Sequence, residues 1–474
     1  MKSLMVSFLA MAAASVSLAD ASITETFVRQ EWPWSSRVTV EYVIEGVTEP
    51  VDVSLSVLRK GVPCEVPDLA VTGDRYGVAT SGLKRLYLDP VRAFGMNAKS
   101  EDYTFALSVG PSDVAMNEVL YKIFDLVNTN VTDVTRGDLL NGRYGSVETD
   151  FGAIGPGYKT DLKDVLIWTG VTNDIAYKTT KLVLRKIPAG TYVSGANMPG
   201  TQKALYRHTM TKDVFAGVFE ITQAQWKNCG APTGMDDDHK YRPTWVGDLR
   251  PMETINQAHM LFGRNYASGR TALTPGSTGD NCLFRALQNR FHAAGIDVPF
   301  GLPTTMQWLI AARGGTSTYY NDGLGTPETP EKNAQMDALG RYAGNGGLTD
   351  NGDGTVTTNG TVEVGLYRSN AFGLYDTLGN VKEFCCDYLA STGSLNENQT
   401  DLCGSTNNYA CEFYANDYSE DGAVPEKFAG ARYEQLPADA RFDPDYSNTR
   451  YWMRGRVGVR VFYVVEPADD PAAE

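Results

Sequence analysis

The chain has 474 residues, which is too many for one hydrophobic core, so we expect two or three domains. Its 42 basic and 57 acidic residues give a formal net charge of −15, which argues against nucleic acids and anionic membrane surfaces as partners. Beyond the N-terminus, no stretch is long and apolar enough to span a bilayer, so we predict no transmembrane segment.

The first residues are typical of a secretory signal. Lys2 supplies a positive charge, residues 4–16 are mostly apolar, and Ser17 and Ala19 form a small-x-small cleavage site. We therefore predict that residues 1–19 are a signal peptide. The mature chain is then expected to be secreted, periplasmic or held at the cell surface.

Residues 20–115 are predicted to form a small all-β sandwich, which could be immunoglobulin-like. Apolar and polar residues alternate over 37–46, 51–61 and 102–110, and a weaker strand pattern covers 81–90. Turn-forming residues separate these runs, as expected for short antiparallel strands.

Two tryptophans, Trp32 and Trp34, stand at the entry to this predicted sandwich. They could form an aromatic pair that binds a sugar, or they could fill the core. We favour burial in the core, because large aromatic side chains are usually buried.

Residues 116–180 are predicted to form a connecting β segment packed against the next domain, since apolar residues recur throughout it. The large domain is placed at residues 181–466, and it opens with a predicted strand and turn at 181–195. Pro188 and Gly190 are the residues that favour this turn.

Two short helices in the large domain carry recognisable N-terminal signals. Thr222 is a candidate N-cap, and Gln225 three residues later completes a capping-box pattern. Thr304 follows Pro303 and is the second candidate N-cap, ahead of a run with helical spacing of its apolar residues.

The stretch at 370–388 is expected to be the core turn of the large domain. Glycines and asparagines alternate there with large apolar residues, which suggests a tight backbone path through a buried region. Asp376, Glu383 and Asp387 lie among them, and a buried carboxylate needs a cation or hydrogen-bond donors. A hard-cation site of carboxylate and carbonyl oxygens would satisfy this need.

The order N-x-x-G-L-x-D-x-x-G-N-V-x-E in this stretch resembles the signature of the formylglycine-generating enzyme family, also called sulfatase-modifying factor domains. The residues that fit the signature are Asn370, Gly373, Leu374, Asp376, Gly379, Asn380, Val381 and Glu383. Lys382 and Phe384 stand where the family prefers tryptophan. Further family blocks resemble residues 181–195, 214–229, 301–315 and 450–465.

The resemblance implies an α+β fold for residues 181–466, a variant of the C-type lectin-like scaffold, here preceded by the small all-β sandwich. Residues 467–474 are predicted to be a disordered tail. Because the family binds structural calcium, the resemblance also implies a calcium site that uses Asn380 and Glu383. The alternative, that Glu383 accepts hydrogen bonds from backbone amides in a buried turn, stays open.

Active members of the family oxidise a sulfatase cysteine, and the resemblance implies a copper ion held by two thiolates four residues apart. The sequence contains no C-x4-C pair, so no catalytic residue is carried over and copper is not expected. Cys403 and Cys411 lie eight apart, and we predict that they form a disulfide in an oxidising compartment. The seven cysteines then leave at least one without a disulfide partner.

The sequence therefore predicts an exported protein with a non-catalytic binding or surface role on a lectin-like scaffold. Its expected partner is an extracellular protein or a glycan. Two alternatives remain: an oxidase that generates formylglycine with an unusual arrangement of thiols, and a structural envelope protein.

Overall fold

A computed structural model of the chain folds into two compact units. The first comprises residues 1–120, 133–148 and 168–170, and the second comprises residues 121–132, 149–167 and 171–474. The structure describes residues 21–31, 34–96, 103–149, 165–194, 206–231, 243–255, 282–316, 320–322, 334–345, 349–350, 356–357, 360–385, 398–401, 426–429, 445–447 and 457–464.

Short strands dominate the described part of the chain. In chain order they are β1 (Ser22–Gln30), β2 (Val38–Glu45), β3 (Val51–Arg59), β4 (Val62–Cys64), β5 (Val71–Gly73), β6 (Gly82–Leu88), β7 (Tyr103–Pro111), β8 (Val119–Asp125), β9 (Val131–Thr135), β10 (Glu148–Thr149), β11 (Leu166–Ile167), β12 (Lys181–Ile187), β13 (Gly190–Ser194), β14 (Tyr206–Met210), β15 (Val214–Gly217), β16 (Thr349–Asp350), β17 (Val356–Thr357), β18 (Lys382–Phe384), β19 (Gln399–Thr400), β20 (Glu426–Ala429), β21 (Asp445–Ser447), β22 (Val457–Gly458) and β23 (Phe462–Val464).

Helices are few and short. Those among the described residues are α1 (Pro90–Phe94), α2 (Arg136–Leu140), α3 (Gln223–Asn228), α4 (Leu283–His292), α5 (Thr305–Arg313) and α6 (Ala334–Leu339). This mixture of many strands with few helices confirms the predicted α+β class, and the N-terminal region is all-β up to α1, apart from one 3₁₀ turn.

The first unit is a two-sheet sandwich. One sheet has the strand order β1-β2-β6-β5 and the other β4-β3-β7. Alternate residues of β2, such as Val40 and Tyr42, share one buried core with Val53 of β3 and Leu86 of β6. The four strands predicted from period-two alternation are therefore confirmed as β2, β3, β6 and β7, since alternation places every second side chain in the core.

A five-stranded sheet has the order β23-β15-β12-β8-β9, and its strands β12, β15 and β23 belong to the second unit. Its central strand β12 is antiparallel to both neighbours, β8 and β15. One core cluster includes Ile187 of β12, Trp308 of α5 and Leu378 of the predicted core turn. The predicted core turn therefore does lie in the hydrophobic core of this unit.

The second unit also contains two smaller sheets. One has the order β13-β14-β19, and the other has the order β21-β20-β18-β22. Strand β18 belongs to the signature stretch and pairs in parallel with β22 near the C-terminus of the chain. This pairing brings the end of the chain to the signature stretch.

The capping box predicted at Thr222 and the N-cap predicted at Thr304 are both present, and the structure shows that Thr304 also forms a capping box. Thr222 Oγ1 accepts from the Gln225 amide, and the Gln225 side chain accepts from the Thr222 amide at the start of α3. The same reciprocal pair joins Thr304 and Gln307 at the start of α5. Helix α5 is followed by its C-cap residue Gly314, which has a left-handed φ of 60° that terminates the helix.

We predict that Thr304→Ala lowers the free energy of unfolding by about 1 kcal/mol, because the Gln307 amide loses its acceptor. Urea unfolding followed by circular dichroism measures this change. Thr304→Ser keeps the hydroxyl and should stay close to the parent. If Thr304→Ala were as stable as the parent, the stabilising role of Thr304 as N-cap would be contradicted.

Several predicted features fall outside the described residues. These are the signal peptide at 1–19, the tail at 467–474, Trp32, and the Cys403–Cys411 disulfide. Each of them stays a prediction. Within the part of the chain that the structure describes, no helix has the length and apolarity that crossing a membrane requires.

Candidate functional site

The signature stretch from residue 370 to residue 385 is buried along its whole length. Its path depends on left-handed backbone conformations at Asp376 (φ 56°) and Asn380 (φ 58°), and at Gly373 and Gly379. Glycine, asparagine and aspartate are the residues that reach this region at low cost. At Gly379, an added Cβ would lie 2.1 Å from the carbonyl oxygen of Arg341, so no larger residue fits the turn.

A buried ion pair occupies the centre of this stretch. Glu383 and Arg460 are each 1% exposed, and Arg460 Nη2 lies 2.6 Å from Glu383 Oε1. Arg460 Nε lies 3.0 Å from Glu383 Oε2, which makes the contact bidentate. Trp308 Nε1 of α5 donates to the same Oε2 at 2.6 Å. Glu383 is therefore held by side-chain donors rather than by backbone amides.

The remaining donors of Arg460 bind backbone carbonyls. Nη1 donates to Gly217 and Val218, and Nη2 donates to Tyr375. Burial works to lower the pKa of the Arg460 guanidinium, but the charge and hydrogen bonds of Glu383 outweigh it and raise that pKa. Arg460 thus stays charged and ties β15, the signature stretch and the C-terminal strands together.

A second carboxylate, Glu220, lies beside this pair and is fully buried. Asn380 Nδ2 donates to Glu220 Oε2 at 2.7 Å, and the Val381 amide donates to Oε1 at 3.3 Å. Burial raises the pKa of Glu220 well above its ordinary value, and the charges of Asp376 and Glu383 raise it further. Glu220 therefore favours the protonated form far more than a carboxyl in water does.

A third carboxylate, Asp376, completes the cluster. Its Oδ2 accepts from the Gly365 amide at 2.6 Å, while its buried Oδ1 has no hydrogen-bond partner. Burial raises the pKa of Asp376 to about 6. The charges of Arg460 and Lys178 oppose this rise, and Lys178 itself has a pKa lowered by burial.

These groups form what we call the buried charge cluster: Glu220, Asp376, Glu383, Arg460 and Asn380. Every member is at most 2% exposed, so none presents a functional group to solvent. Their hydrogen bonds run to one another, to Trp308 and to the backbone. The arrangement can therefore fix the path of the signature stretch, but none of its side chains is placed to meet a substrate at the surface.

The predicted calcium ligands Asn380 and Glu383 both belong to this cluster. Asn380 Oδ1 accepts from the Val362 amide at 3.0 Å, and both oxygens of Glu383 accept from Arg460. The oxygens that would bind calcium thus face N–H donors. Among the residues that the structure describes, no three His, Cys, Asp or Glu side chains are grouped as metal ligands. Calcium at this position stays a prediction.

Copper would need reactive thiolates. Cys229 and Cys385 are buried on different elements, and burial raises the pKa of the Cys229 thiol to about 12. A thiol with so high a pKa is protonated at neutral pH and is a poor ligand or nucleophile. Cys229 is therefore unsuited to hold copper. The expectation that the chain lacks copper stays a prediction, and we derive no reaction step through copper.

The prediction that Trp34 fills the core is wrong. Trp34 is 90% exposed, because it lies in the turn between β1 and β2 and not on an inward strand position. On the outer face of the first sheet, Phe27 is 59% exposed and Leu83 is 57% exposed. The first unit thus presents large apolar side chains to solvent.

Sequence reasoning did not assign roles to Glu220, Trp308 or Arg460. The sequence does contain a signal for two of them, Glu220 and Arg460. Glu220 is a single acid after the apolar run VFAGVF, and Arg460 is a single cation within VGVRVFYVV. Opposite charges beside or within two separate apolar runs are a signal of a buried pair, although the sequence does not say which acid Arg460 meets.

Comparison with known proteins gives a family match that covers most of the second unit. The family profile described as the sulfatase-modifying factor enzyme 1-like domain matches residues 176–462. The chain is 25% identical over 210 residues to the chaperone protein LppX of Paenibacillus barcinonensis, which covers 40% of this chain and 68% of the relative.

Two solved structures resemble the chain more loosely. PvdO from Pseudomonas aeruginosa is 16% identical with a TM-score of 0.39, and covers 60% of this chain and 94% of its own. Treponema denticola variable protein 1 is 18% identical with a TM-score of 0.38, and covers 60% of this chain and 95% of its own. The profile match confirms the resemblance inferred from the motifs.

Proposed function

The chain belongs to the family of the sulfatase-modifying factor enzyme 1-like domain, and from this premise we propose that it is an exported, non-catalytic binding protein. The observation that carries the proposal is the buried charge cluster. Its charged side chains are sealed in the interior, where they stabilise a scaffold and cannot reach a substrate. A family scaffold without a reactive centre is suited to present its loops to a partner.

The thiols support the same conclusion. The sequence has no C-x4-C pair, and the Cys229 thiol has a pKa raised to about 12 by burial. An oxidase that generates formylglycine would need two thiolates at one accessible site. The alternative oxidase function therefore receives no support from the described cysteines.

The first unit offers a surface for the proposed binding. Phe27 of β1 pairs with Glu41 of β2, while the neighbouring Val28 pairs with the core residue Val40, so Phe27 faces outward. Leu83 pairs with Val43 on the same outward face of β2. We propose that this face and the exposed ring of Trp34 take part in binding a glycan. A chaperone among the relatives makes a protein surface the alternative partner.

A glycan array and a peptide assay together test the proposal. We expect the purified full chain to bind a defined class of glycans, and to leave a C-x-P-x-R peptide unoxidised in the presence of Cu(I) and O₂. Conversion of the peptide to the aldehyde would establish the oxidase instead. Binding of neither glycans nor proteins would favour a structural envelope role.

We predict that Trp34→Ala weakens glycan binding at least about tenfold, which corresponds to about 1.4 kcal/mol, because exposed tryptophans at binding surfaces supply a large share of the affinity. Stability should change little, since the side chain is 90% exposed. Val62→Ala is the matched control: Val62 is 65% exposed on the other sheet and should leave binding unchanged. Equal binding by both variants would remove the first unit from the proposed surface.

A further inference from the structure

Arg185 lies at the centre of the five-stranded sheet of the second unit. It is on β12, where it pairs with Ala216 of β15 on one side and with Tyr121 of β8 on the other. The residue is only 4% exposed. Its guanidinium stacks over the Tyr121 ring, with 4.7 Å from the guanidinium carbon to the ring centroid.

Among the described residues, two of the three guanidinium nitrogens of Arg185 have no hydrogen-bond acceptor. Its Nε and Nη1 atoms are buried, and neither has a hydrogen-bond partner. No carboxylate forms an ion pair with it in the part of the chain that the structure describes. Arg460, which is also buried in this unit, donates from every nitrogen. A buried unpaired charge strongly destabilises a fold, so the guanidinium of Arg185 calls for a partner that the described residues do not supply.

We propose that Arg185 anchors a binding site for a carboxylate-bearing small molecule. The geometry favours a carboxylate because the planar fork of an arginine matches its two oxygens. The positive charge of Arg185 suits an anionic group on the ligand. The other basic residue nearby on β12, Lys186, has the opposite orientation on the strand and is paired with Asp213.

Aromatic rings around the guanidinium suit an apolar body on the ligand. Tyr121 stacks on it. Burial raises the pKa of Tyr192, and the charge of Arg185 opposes that rise. An aromatic carboxylate such as benzoate therefore combines the expected charge with the expected shape. This site is separate from the glycan surface proposed for the first unit and does not depend on it.

Thermal unfolding of the full chain tests the site, with benzoate, acetate, sulfate or chloride as the sodium salt at equal ionic strength. Benzoate should raise the melting temperature of the parent in a saturable way, because a ligand that binds the folded state stabilises it. Arg185→Met should lose the benzoate response. In chloride alone it should melt at a higher temperature than the parent, since it removes an unpaired buried charge.

Lys186→Met is the matched control, because it removes a neighbouring cation on the same strand that already has a partner. It should keep the full benzoate response. Titration calorimetry should show at least tenfold weaker benzoate binding to Arg185→Met than to Lys186→Met. Arg185→Lys, which keeps the charge but loses the fork, should bind benzoate more weakly than the parent.

Three results would overturn the proposal. One is a benzoate response in Arg185→Met equal to that of the parent. Another is the lack of any saturable benzoate response in the parent, which remains informative even if the Met variant fails to fold. The third is stabilisation of the parent by sulfate as strong as that by benzoate, which would reject a carboxylate as the ligand class. Glycan binding plays no part in these readouts, so the two proposals fail independently.

Discussion

Arg460→Met is expected to lower the free energy of unfolding by about 3–5 kcal/mol, because it leaves the buried carboxylate of Glu383 without its counter-charge. The loss should be large for this pair, since both residues are 1% exposed and the arginine also binds the carbonyls of Gly217, Val218 and Tyr375. Urea unfolding of the full chain, followed by tryptophan fluorescence, measures it through the ring of Trp308, which bonds to Glu383.

A double substitution distinguishes the cost of leaving one charge unpaired from the cost of losing the other contacts of Arg460. Arg460→Met together with Glu383→Gln removes both charges and should recover much of the lost stability, because no isolated charge remains buried. Arg37→Met is the matched control: Arg37 also makes a two-nitrogen contact to one carboxylate, that of Glu31, but at the surface. A loss for Arg460→Met no larger than that for Arg37→Met would contradict a central role of the buried pair.

Asp376→Asn is expected to stabilise the protein above pH 6 and to flatten its dependence of stability on pH. The folded-state pKa of Asp376 is about 6, compared with an ordinary value of 3.8. The folded state therefore binds the proton more tightly than the unfolded state between these two values. Stability is highest below the lower value and falls as pH rises through the window, by about 3 kcal/mol in total.

The asparagine variant removes this titration and keeps the left-handed turn. Asparagine adopts a φ near 56° as readily as aspartate does, and its amide oxygen can still accept from the Gly365 amide. Urea unfolding at intervals from pH 4 to pH 8 gives both profiles. Glu25→Gln, at a carboxylate exposed on β1, should reproduce the parent profile. A parallel pair of profiles for Asp376→Asn and the parent would show that Asp376 is ionised throughout.

The local elements of the chain follow from its sequence. Period-two alternation fixed β2, β3, β6 and β7, because each alternate side chain of these strands enters one core. The capping box at Thr222 and the N-cap at Thr304 were also readable from the sequence, because the signals are local. The order and spacing of the signature residues were enough to identify the family that the profile match confirms.

Trp34 shows where local reasoning failed. Its burial was expected from the size of its ring, yet the turn that holds it leaves the ring 90% exposed. A residue in a turn faces the core only if another segment covers it. Sequence composition does not show which segments pack over which turns.

The tertiary structure alone decided the partners of the buried charges. Glu383 meets an arginine 77 residues later in the chain, and Asn380 meets a glutamate 160 residues earlier. Such pairs arise from the pairing of β18 with β22 and from the path of the signature stretch beside β15, neither of which leaves a periodic trace in the sequence. The sequence showed that the buried acids needed partners, because a carboxylate in an apolar interior is costly. Only the fold determined that an arginine would stabilise one of them and that Arg185 would meet no carboxylate among the described residues.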